Sequence, residues 1–265
     1  MVDIVIPVYG GLDHLKRLLP GLKACTSMAE VSVFLVDDLT PEDKGRANII
    51  AYVKKFIESN KVKRWELILK ETNSGFADTN NVGASHGKGE FILMLNSDTV
   101  PFPRWLEYML AVMGELPQVG AVGAKLIFPP WMDSPQRPAN TIQHAGVAFD
   151  TSRLPYHIFA GWRPNHPKVN RRLFMQAVTG ACLLTRRELW DDIGGLNPIY
   201  GQGNHEDIEY CMEIKKRGMD SAYCPEAQLF HVGSGSNNTR DAQKNAGIFL
   251  ERWAEHIESD NFLYY

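Results

Sequence analysis

The chain has few of the features that would indicate a zinc protein, a disulfide scaffold or a membrane span. Its four cysteines form no Cys-x-x-Cys pair and no cysteine–histidine zinc spacing. With no secretory leader before the first strand, they are expected to be reduced thiols of a cytoplasmic protein. The longest clean apolar run, Phe91–Leu95, has the length of a strand and not of a membrane span. The sequence therefore predicts no transmembrane segment, although peripheral contact with the inner membrane stays compatible with it.

The chain also lacks an excess of positive charge and the common nucleotide-binding motifs. Lysine and arginine number 28 against 31 for aspartate and glutamate, and the resulting net charge of −3 argues against nucleic acid as a partner. No Gly-x-Gly-x-x-Gly fingerprint and no Walker loop occur, so the main sequence evidence for a nicotinamide dehydrogenase or a P-loop protein is missing. What is present is a 265-residue chain with 44% hydrophobic residues, enough to build one α/β domain.

The first hundred residues alternate between short β-rich runs and helical patterns. The first predicted strand covers residues 4–6, and Pro7 is expected to close it because proline cannot donate to a sheet ladder. This alternation predicts parallel strands joined by right-handed crossovers, hence a mostly parallel sheet flanked by helices. Ligands of such sheets bind at the carboxyl ends of the strands, so the polar residues there become the candidates. Further strands are predicted at 31–36, 65–70 and 91–95, and helices at 12–24, 41–59 and 78–86.

Beyond Pro101 the pattern is less regular. Residues 129–172 show no clear periodicity, and a stretch this long without elements is usually functional or mobile. Helices are predicted at 105–116, 206–217 and 241–256, and strands at 119–128, 174–185, 221–225 and 228–231.

Asn96 and Asp98 directly follow a predicted buried strand. Alternate residues on an extended backbone point the same way, so the two oxygen-bearing side chains should face one site. Hard divalent cations such as Mg²⁺ and Mn²⁺ prefer oxygen ligands and are commonly shared with substrate phosphates. One carboxylate and one amide are an incomplete set, and the segment is equally compatible with a polar turn that caps a helix.

Two further polar segments follow strands of the predicted sheet. Asp38 ends the second strand, where it is suited either to a nucleoside or to capping of the next loop. Asn73, Gly75 and Asn80 follow the third strand. Glycine permits close approach of the backbone to a ligand, and asparagine supplies both donors and acceptors.

Glu206 and Asp207 stand at the start of a predicted helix. Carboxylates are favoured there by the helix dipole alone, but a rigidly held carboxylate is also what a general base requires. His231 ends a short predicted strand. A lone histidine is usually structural, yet imidazole also suits Mn²⁺.

Taken in order, these segments resemble the inverting family-2 glycosyltransferases with the GT-A fold, over nearly the whole chain. The bacterial rhamnosyltransferase-like and galactofuranosyltransferase-like branch is the most similar. The matching stretches are Asp-Ile-Val-Ile-Pro-Val-Tyr (3–9), Val-Asp-Asp (36–38), Asn-Ser-Gly-Phe-Ala (73–77), Leu-Asn-Ser-Asp-Thr (95–99), Thr-Gly-Ala-Cys-Leu-Leu (179–184), Gly-Gly-Leu-Asn-Pro (194–198), His-Glu-Asp (205–207) and Pro-Glu-Ala-Gln-Leu-Phe-His (225–231).

The resemblance implies a role for each candidate residue. Asp207 would be the general base, with Glu206 helping to bind the acceptor. Asn96 and Asp98 correspond to the family's DxD motif for Mn²⁺ or Mg²⁺, and His231 to a further metal or diphosphate ligand. The first acid of that motif is asparagine here, and Gly10 stands where many members have asparagine. The nucleotide would be contacted by Pro7, Val8, Tyr9, Asp38, Asn73, Gly75, Asn80 and Asn96.

The implied reaction moves a sugar from a UDP-, dTDP- or GDP-linked donor to a hydroxyl of a glycan, lipid-linked or protein acceptor, in polysaccharide biosynthesis. Residues 1–100 would form the donor-binding half of one domain, and residues 101–265 the acceptor-binding and catalytic half. The alternatives are a non-catalytic nucleotide- or carbohydrate-binding module on the same fold, and a sugar nucleotidyltransferase. The latter would carry a glycine-rich basic loop after the first strand, which Gly10-Gly11-Leu-Asp-His does not resemble.

The segment 129–172 is expected to shape the acceptor site. Its aromatic residues are equally suited to stacking on sugars and to local packing; they are Trp131, Tyr156, His157, Trp162 and His166. Phosphates could be met by Arg153, Arg163, Arg171 and Arg172.

Overall fold

The structure, a computed structural model, describes residues 1–27, 30–233 and 239–265, the last range without the side chains of residues 239 and 240. The strands are β1 (Val2–Val8), β2 (Val31–Asp37), β3 (Trp65–Leu69), β4 (Phe91–Leu95), β5 (Thr99–Pro101), β6 (Val119–Ile127), β7 (Ile142–His144), β8 (Val147–Phe149), β9 (Pro155–His157), β10 (Leu173–Met175), β11 (Cys182–Arg186) and β12 (Asp220–His231). The α-helices are α1 (Leu12–Cys25), α2 (Arg46–Asn60), α3 (Phe76–His86), α4 (Trp105–Glu115), α5 (Arg187–Ile193), α6 (Glu206–Lys216) and α7 (Thr239–Trp253).

One large sheet runs through the molecule in the order β10-β12-β6-β11-β4-β1-β2-β3. The strands of the first hundred residues pair in parallel, as β4-β1-β2-β3, and β6 pairs in parallel with β12. Between these two parallel groups lies β11, antiparallel to both β4 and β6. The predicted α/β class is confirmed, with the parallel character confined to the two groups. A separate hairpin of β8 and β9 lies beside the sheet.

Helices cover both faces of the sheet because each has an apolar stripe. In α1 the residues at 15, 18, 19 and 22 recur at helical spacing, and all four leucines are fully buried. The helices α1, α2 and α4 pack on one face, and α3, α5, α6 and α7 pack on the other. The carboxyl ends of β1, β2 and β4 are therefore left open between the two helical layers.

Pro7 does not close the first strand, contrary to the prediction. β1 continues to Val8, and Pro7 lies opposite Val36 of β2. On its other side, β4 pairs with β1 only as far as Val5. A proline is tolerated at this position because no neighbour on that side requires its missing N–H group.

Two other predicted elements are divided in the structure. The helix expected at 41–59 is a short 3-10 turn, Glu42–Lys44, followed by α2, because Gly45 between them has a left-handed φ of 80°. The strand expected at 174–185 is two strands with different partners, since β10 pairs with β12 whereas β11 lies between β4 and β6. Conversely, the pieces expected at 221–225 and 228–231 belong to one strand, β12, with a register shift between Cys224 and Gln228.

Within the described residues, no helix is long and apolar enough to cross a membrane. The four cysteines are free thiols, with Cys25 partly buried and Cys182, Cys211 and Cys224 fully buried.

Candidate active site

A cleft of about 840 Å³ opens at the carboxyl ends of β1, β2 and β4. Its opposite wall is built from the β8–β9 hairpin, the loop before α6 and the end of β12. Of the predicted site residues, those that line it are Pro7, Val8, Tyr9, Asp38, Gly75, Asn96, Asp98, Glu206, Asp207 and His231.

Strand pairing brings Asn96 and Asp98 next to His231. β5 pairs antiparallel with the end of β12, with Thr99 opposite His231. The backbone N–H of Val232 donates to the carbonyl of Asp98 at 3.1 Å, and the Asn96 N–H donates to the carbonyl of Ala181 at 3.0 Å. Residues that are 135 positions apart in the sequence are thereby held at one point of the cleft.

The donor set of these three residues fits a hard divalent cation. His231 Nε2 lies 3.1 Å from Asp98 Oδ1 and 3.2 Å from Asn96 Nδ2. The Asn96 Oδ1 atom is buried and has no hydrogen-bond partner. Rotation of that amide by half a turn would bring the oxygen to the position of the nitrogen, beside the imidazole and the carboxylate. Two protein oxygens and one imidazole nitrogen leave positions for diphosphate oxygens and water.

One of the three candidate ligands, Asn96, is an uncharged amide, so the set carries little negative charge. Among the residues that the structure describes, no three His, Cys, Asp or Glu side chains form a metal-binding group. An imidazole that binds a metal is neutral, so the set would contribute only the single negative charge of Asp98. Such a set is suited to a cation that is shared with substrate phosphates.

Asp38 organises the loop that follows β3. Its Oδ1 accepts from Lys70 Nζ at 2.7 Å and from the Ser74 N–H at 3.0 Å, while Oδ2 accepts from the Gly75 N–H at 2.9 Å. The side chain is 7% exposed. Most of its acceptor capacity is used inside the protein, and one lone pair of Oδ2 is left for a ligand.

Gly75 lets this loop touch the opposite wall of the cleft. A Cβ atom there would overlap the carbonyl oxygen of Gly201 and lie 2.8 Å from Cα of Gln202. Its φ of 88° with an extended ψ is a conformation that only glycine adopts readily. The Gln202 amide also donates to Asn73 Oδ1 at 2.7 Å, so the two walls are joined directly.

Two predicted nucleotide contacts do not line the cleft. Asn80 is fully buried within α3, where its Nδ2 donates to the carbonyl of Phe76 at 2.8 Å. Asn73 uses its Nδ2 to donate to the carbonyl of Asp38 at 2.8 Å. Their side chains stabilise the loop after β3 and the start of α3. Lys44, which the sequence did not suggest, lines the cleft with its ammonium 4.1 Å from the centre of the Tyr9 ring.

Asp207 is anchored at the first turn of α6. Its Oδ2 accepts from the Gly180 N–H at 2.6 Å and from the Thr179 hydroxyl at 3.3 Å, and its Oδ1 accepts from the Ile208 N–H at 2.9 Å. Gly180 leaves room for this contact, because a Cβ there would lie 2.9 Å from Cβ of Asp207. The carboxylate is half-buried, rigidly held and open to the cleft.

Glu206 differs from its neighbour. The residue is 5% exposed, and its Oε2 atom is buried with no hydrogen-bond partner. Burial, reinforced by the charge of Asp207, raises the pKa of Glu206 to about 8. At neutral pH the group is therefore a neutral carboxylic acid beside the Asp207 carboxylate.

The loop before α6 is strained and is held in place by α7. Asn204 and His205 have left-handed φ angles of 79° and 80°, which non-glycine residues rarely adopt. The buried Asn245 amide donates to the carbonyls of Tyr200 and Gly203 at 2.8 and 2.7 Å.

A buried network on α6 adds to this support. Glu209 accepts from Arg252 Nε and Nη2 at 3.0 and 2.9 Å, from Asn197 at 2.7 Å, and from the Tyr200 hydroxyl. Helix α7 thus fixes the segment that presents Glu206 and Asp207.

Part of the region 129–172 also faces the cleft. Of its predicted aromatic contacts, Tyr156 and His157 line the cleft. Trp131 packs against Phe230, and Trp162 packs against Phe159. Of the predicted arginines, Arg172 pairs with Glu115.

Gln143 and Thr179 also line the cleft, and His144 lies behind Thr179. His144 is fully buried, and burial holds its pKa well below 6.5, so the ring is neutral. Its Nδ1–H donates to the carbonyl of Ala124 at 3.0 Å, which leaves Nε2 to accept from the Thr179 N–H at 3.3 Å. Thr179 belongs to a segment that carried the resemblance, whereas no periodic pattern marks Gln143 or His144.

The buried acid at 206 makes the stability of the protein depend on pH. The unfolded chain releases this proton near pH 4.5 and the folded protein holds it to about pH 8, so the folded state binds more protons across that window. The contribution of Glu206 to stability is full below pH 4.5 and is lost as the pH rises to 8, by at most about 1.4 kcal/mol per pH unit. Glu206→Gln does not titrate. Between pH 5 and pH 8 the wild type should therefore lose a few kcal/mol of stability that Glu206→Gln does not lose. The difference in the free energy of unfolding, variant minus wild type, should rise by that amount.

Urea unfolding at the two pH values measures this difference. Glu107→Gln, at an exposed position of α4, is the matched control and should show the same difference from wild type at both pH values. A Glu206→Gln difference that does not change with pH would contradict the assignment of a buried, protonated acid.

The overall geometry corresponds to the GT-A fold of glycosyltransferases. The structure superposes on the crystal structure of GalNAc-T7 with UDP, GalNAc and Mn2+ with a TM-score of 0.72 and 16% identity, covering 97% of this chain and 49% of that one. The sequence model of the family described as Glycosyltransferase like family 2 matches residues 2–249. The chain belongs to this family, as its motifs predicted.

Curated relatives support the same placement. The chain is 28% identical over 94% of its length to the O-antigen biosynthesis protein RfbC of Myxococcus xanthus, of which it covers 18%. It is 21% identical over 94% of its length to the N-acetylglucosaminyl-diphospho-decaprenol L-rhamnosyltransferase of Mycobacterium tuberculosis, of which it covers 84%. The chain spans less than a third of the length of the first two curated relatives that it matches.

Proposed function

We propose that the protein is an inverting, metal-dependent glycosyltransferase that moves a sugar from a nucleoside diphosphate donor to a hydroxyl of a glycan. The observation that carries this proposal is the meeting of two groups in one cleft. Asn96, Asp98 and His231 form a cation-compatible set, and Asp207 is a rigid carboxylate on the opposite wall.

The donor side is formed by residues 1–100. The tip of β1, with Pro7, Val8 and Tyr9, would cover the nucleoside, and the loop shaped by Asp38 and Gly75 would surround it. A UDP-, dTDP- or GDP-linked sugar fits this arrangement. GalNAc-T7, the solved relative named above, was crystallised with UDP and Mn2+.

The diphosphate would lie at Asn96, Asp98 and His231, with Lys44 as a further positive charge. Mn²⁺ or Mg²⁺ at these ligands supplies positive charge to the leaving diphosphate.

The acceptor side is formed by residues 101–265. The acceptor hydroxyl gives its proton to Asp207, its oxygen bonds to the anomeric carbon from the face opposite the diphosphate, and the bond to the diphosphate breaks. The carbon is inverted because a single displacement occurs. Glu206, being neutral, can donate a hydrogen bond to another acceptor oxygen without repelling Asp207, and Tyr156 and His157 would line the acceptor.

O-antigen biosynthesis is the function printed for one relative, and it agrees with a glycan acceptor in polysaccharide biosynthesis. A cytoplasmic location at the membrane surface would suit such an acceptor.

A screen of nucleotide sugars by thermal unfolding, with and without Mn²⁺, tests the donor class. At a ligand concentration of about a hundred times Kd, the matching donor should stabilise the fold by about 2.7 kcal/mol, or roughly 5 to 10 °C in Tm. Mn²⁺ should be required, and uridine, which lacks the diphosphate, should give no shift. Slow Mn²⁺-dependent release of sugar from the same donor should follow.

The outcomes separate the alternatives. Stabilisation without any release or transfer of sugar would support a non-catalytic binding module instead. Stabilisation by nucleoside triphosphates and sugar phosphates alone would support a nucleotidyltransferase. If no nucleotide sugar shifts Tm in the presence of Mn²⁺, the proposed function is wrong.

A further inference from the structure

The imidazole of His231 has two different neighbours on its two nitrogens. Nε2 faces Asp98 Oδ1 and Asn96 Nδ2, whereas Nδ1 forms a hydrogen bond with the side-chain oxygen of Gln143. An amide oxygen has lone pairs and no hydrogen, so the hydrogen of this bond must come from Nδ1. In the neutral ring the lone pair is then on Nε2, the nitrogen that faces the cation-compatible set.

Gln143 is held beside His231 by its backbone. It is the central residue of β7, which pairs with β6. Its backbone carbonyl accepts from His157 Nδ1 at 3.1 Å. Gly233 leaves space for the amide nitrogen, because a Cβ there would lie 2.6 Å from Gln143 Nε2. In the structure the amide nitrogen is directed toward Gly233 and the amide oxygen toward His231.

The hydrogen on Nδ1 has a consequence for the other side of the ring. Nε2 and Asp98 Oδ1 are 3.1 Å apart, and in a neutral ring neither atom has a hydrogen to offer the other. A cation beside both atoms turns this repulsion into attraction. Of the two neutral tautomers, Gln143 therefore favours the one whose Nε2 can bind a metal over the one whose Nε2 donates a hydrogen bond to Asp98.

We propose that Gln143 is a positioning residue that fixes the tautomer and orientation of His231, so that Nε2 is available to Mn²⁺. This inference rests on the proposed function, since it concerns the same metal. An amide orients the ring without adding a charge, so the set keeps the single negative charge of Asp98. Partners of this kind typically change metal affinity by roughly 10- to 100-fold when removed.

Mn²⁺ affinity in the presence of UDP, measured by electron paramagnetic resonance of free Mn²⁺, tests the role of Gln143. Gln143→Leu, of similar size but without an acceptor, should weaken the affinity by roughly 10- to 100-fold. Gln143→Glu keeps the acceptor and should bind Mn²⁺ at least as tightly as wild type. Gln118→Leu, the same change at an exposed position, should leave the affinity unchanged.

A second measurement needs no metal. Two-bond ¹H–¹⁵N correlation spectra distinguish the tautomers of a histidine ring, and His231→Ala assigns the signal. The wild type should show the Nδ1–H form, and Gln143→Leu should shift the ring toward the Nε2–H form, in which it can donate to Asp98.

The two proposals fail in different ways. If the wild type binds no Mn²⁺, the metal part of the proposed function is wrong and the inference falls with it. If wild-type binding is lost in His231→Ala but remains intact in Gln143→Leu, with the Nδ1–H form unchanged, only the role of Gln143 is refuted.

Discussion

Asparagine in place of Asp207 should lower kcat for sugar transfer by about a thousandfold, within the range of a lost general base. The change removes the proton acceptor and the charge but keeps the shape. The new amide oxygen can still accept from the Gly180 N–H and the Thr179 hydroxyl, which now hold the carboxylate at 2.6 and 3.3 Å. Only the hydrogen bond from the Ile208 N–H is lost, so KM for the donor should change little and the free energy of unfolding should fall by roughly 1 kcal/mol.

Steady-state kinetics with the donor found in the thermal screen measure this effect, together with the Kd of UDP and Mn²⁺. Asp191→Asn, at an exposed position of α5, is the matched control and should retain wild-type kcat. Unchanged turnover in Asp207→Asn would exclude Asp207 as the base.

Alanine in place of Asp98 should abolish the stimulation of nucleotide binding by Mn²⁺. Asp98 is the single carboxylate of the set, and its Oδ1 lies 3.1 Å from His231 Nε2. Loss of an outer partner costs a metal site roughly 10- to 100-fold in affinity, so loss of the only charged ligand should cost more than about 100-fold. The weak binding of the nucleotide that remains without metal should be the same in the variant and in the wild type, since Pro7, Val8 and Tyr9 remain in place.

Calorimetric titration of UDP and dTDP with and without Mn²⁺ measures the effect. Asp43→Ala, at an exposed position before α2, removes an acid without touching the set and should keep the stimulation by Mn²⁺. Equal stimulation in Asp98→Ala and wild type would rule out Asp98 as a ligand.

The sequence predicted the residues whose position follows from a local rule. Asp38, Asn96 and Asp98 line the cleft because each directly follows a parallel strand, and the carboxyl ends of those strands form one edge. Glu206 and Asp207 were found for a similar reason, since carboxylates mark the start of α6. Asn73 and Asn80 lie in the predicted segment after β3, but their side-chain amides donate to backbone carbonyls and do not line the cleft.

What the sequence did not predict depends on long-range contacts. Gln143 lies in a segment without periodicity, and only the pairing of β7 with β6 brings it to His231. The burial of Glu206 depends on packing around the strained loop at Asn204 and His205, which tolerate the left-handed conformation but do not by themselves determine it. The division of the segment 174–185 was missed because its apolar character continues through the turn.

The position of β11 in the sheet also has a consequence for synthesis. β4 needs β11 as its neighbour, and the two strands are about ninety residues apart in the sequence. At translation rates of about 5 to 20 residues per second, the edge of β4 that pairs with β11 stays uncovered for roughly 5 to 20 seconds on the ribosome. An uncovered strand edge is a template for pairing with other chains. During this interval the edge of β4 is open to pairing with other chains.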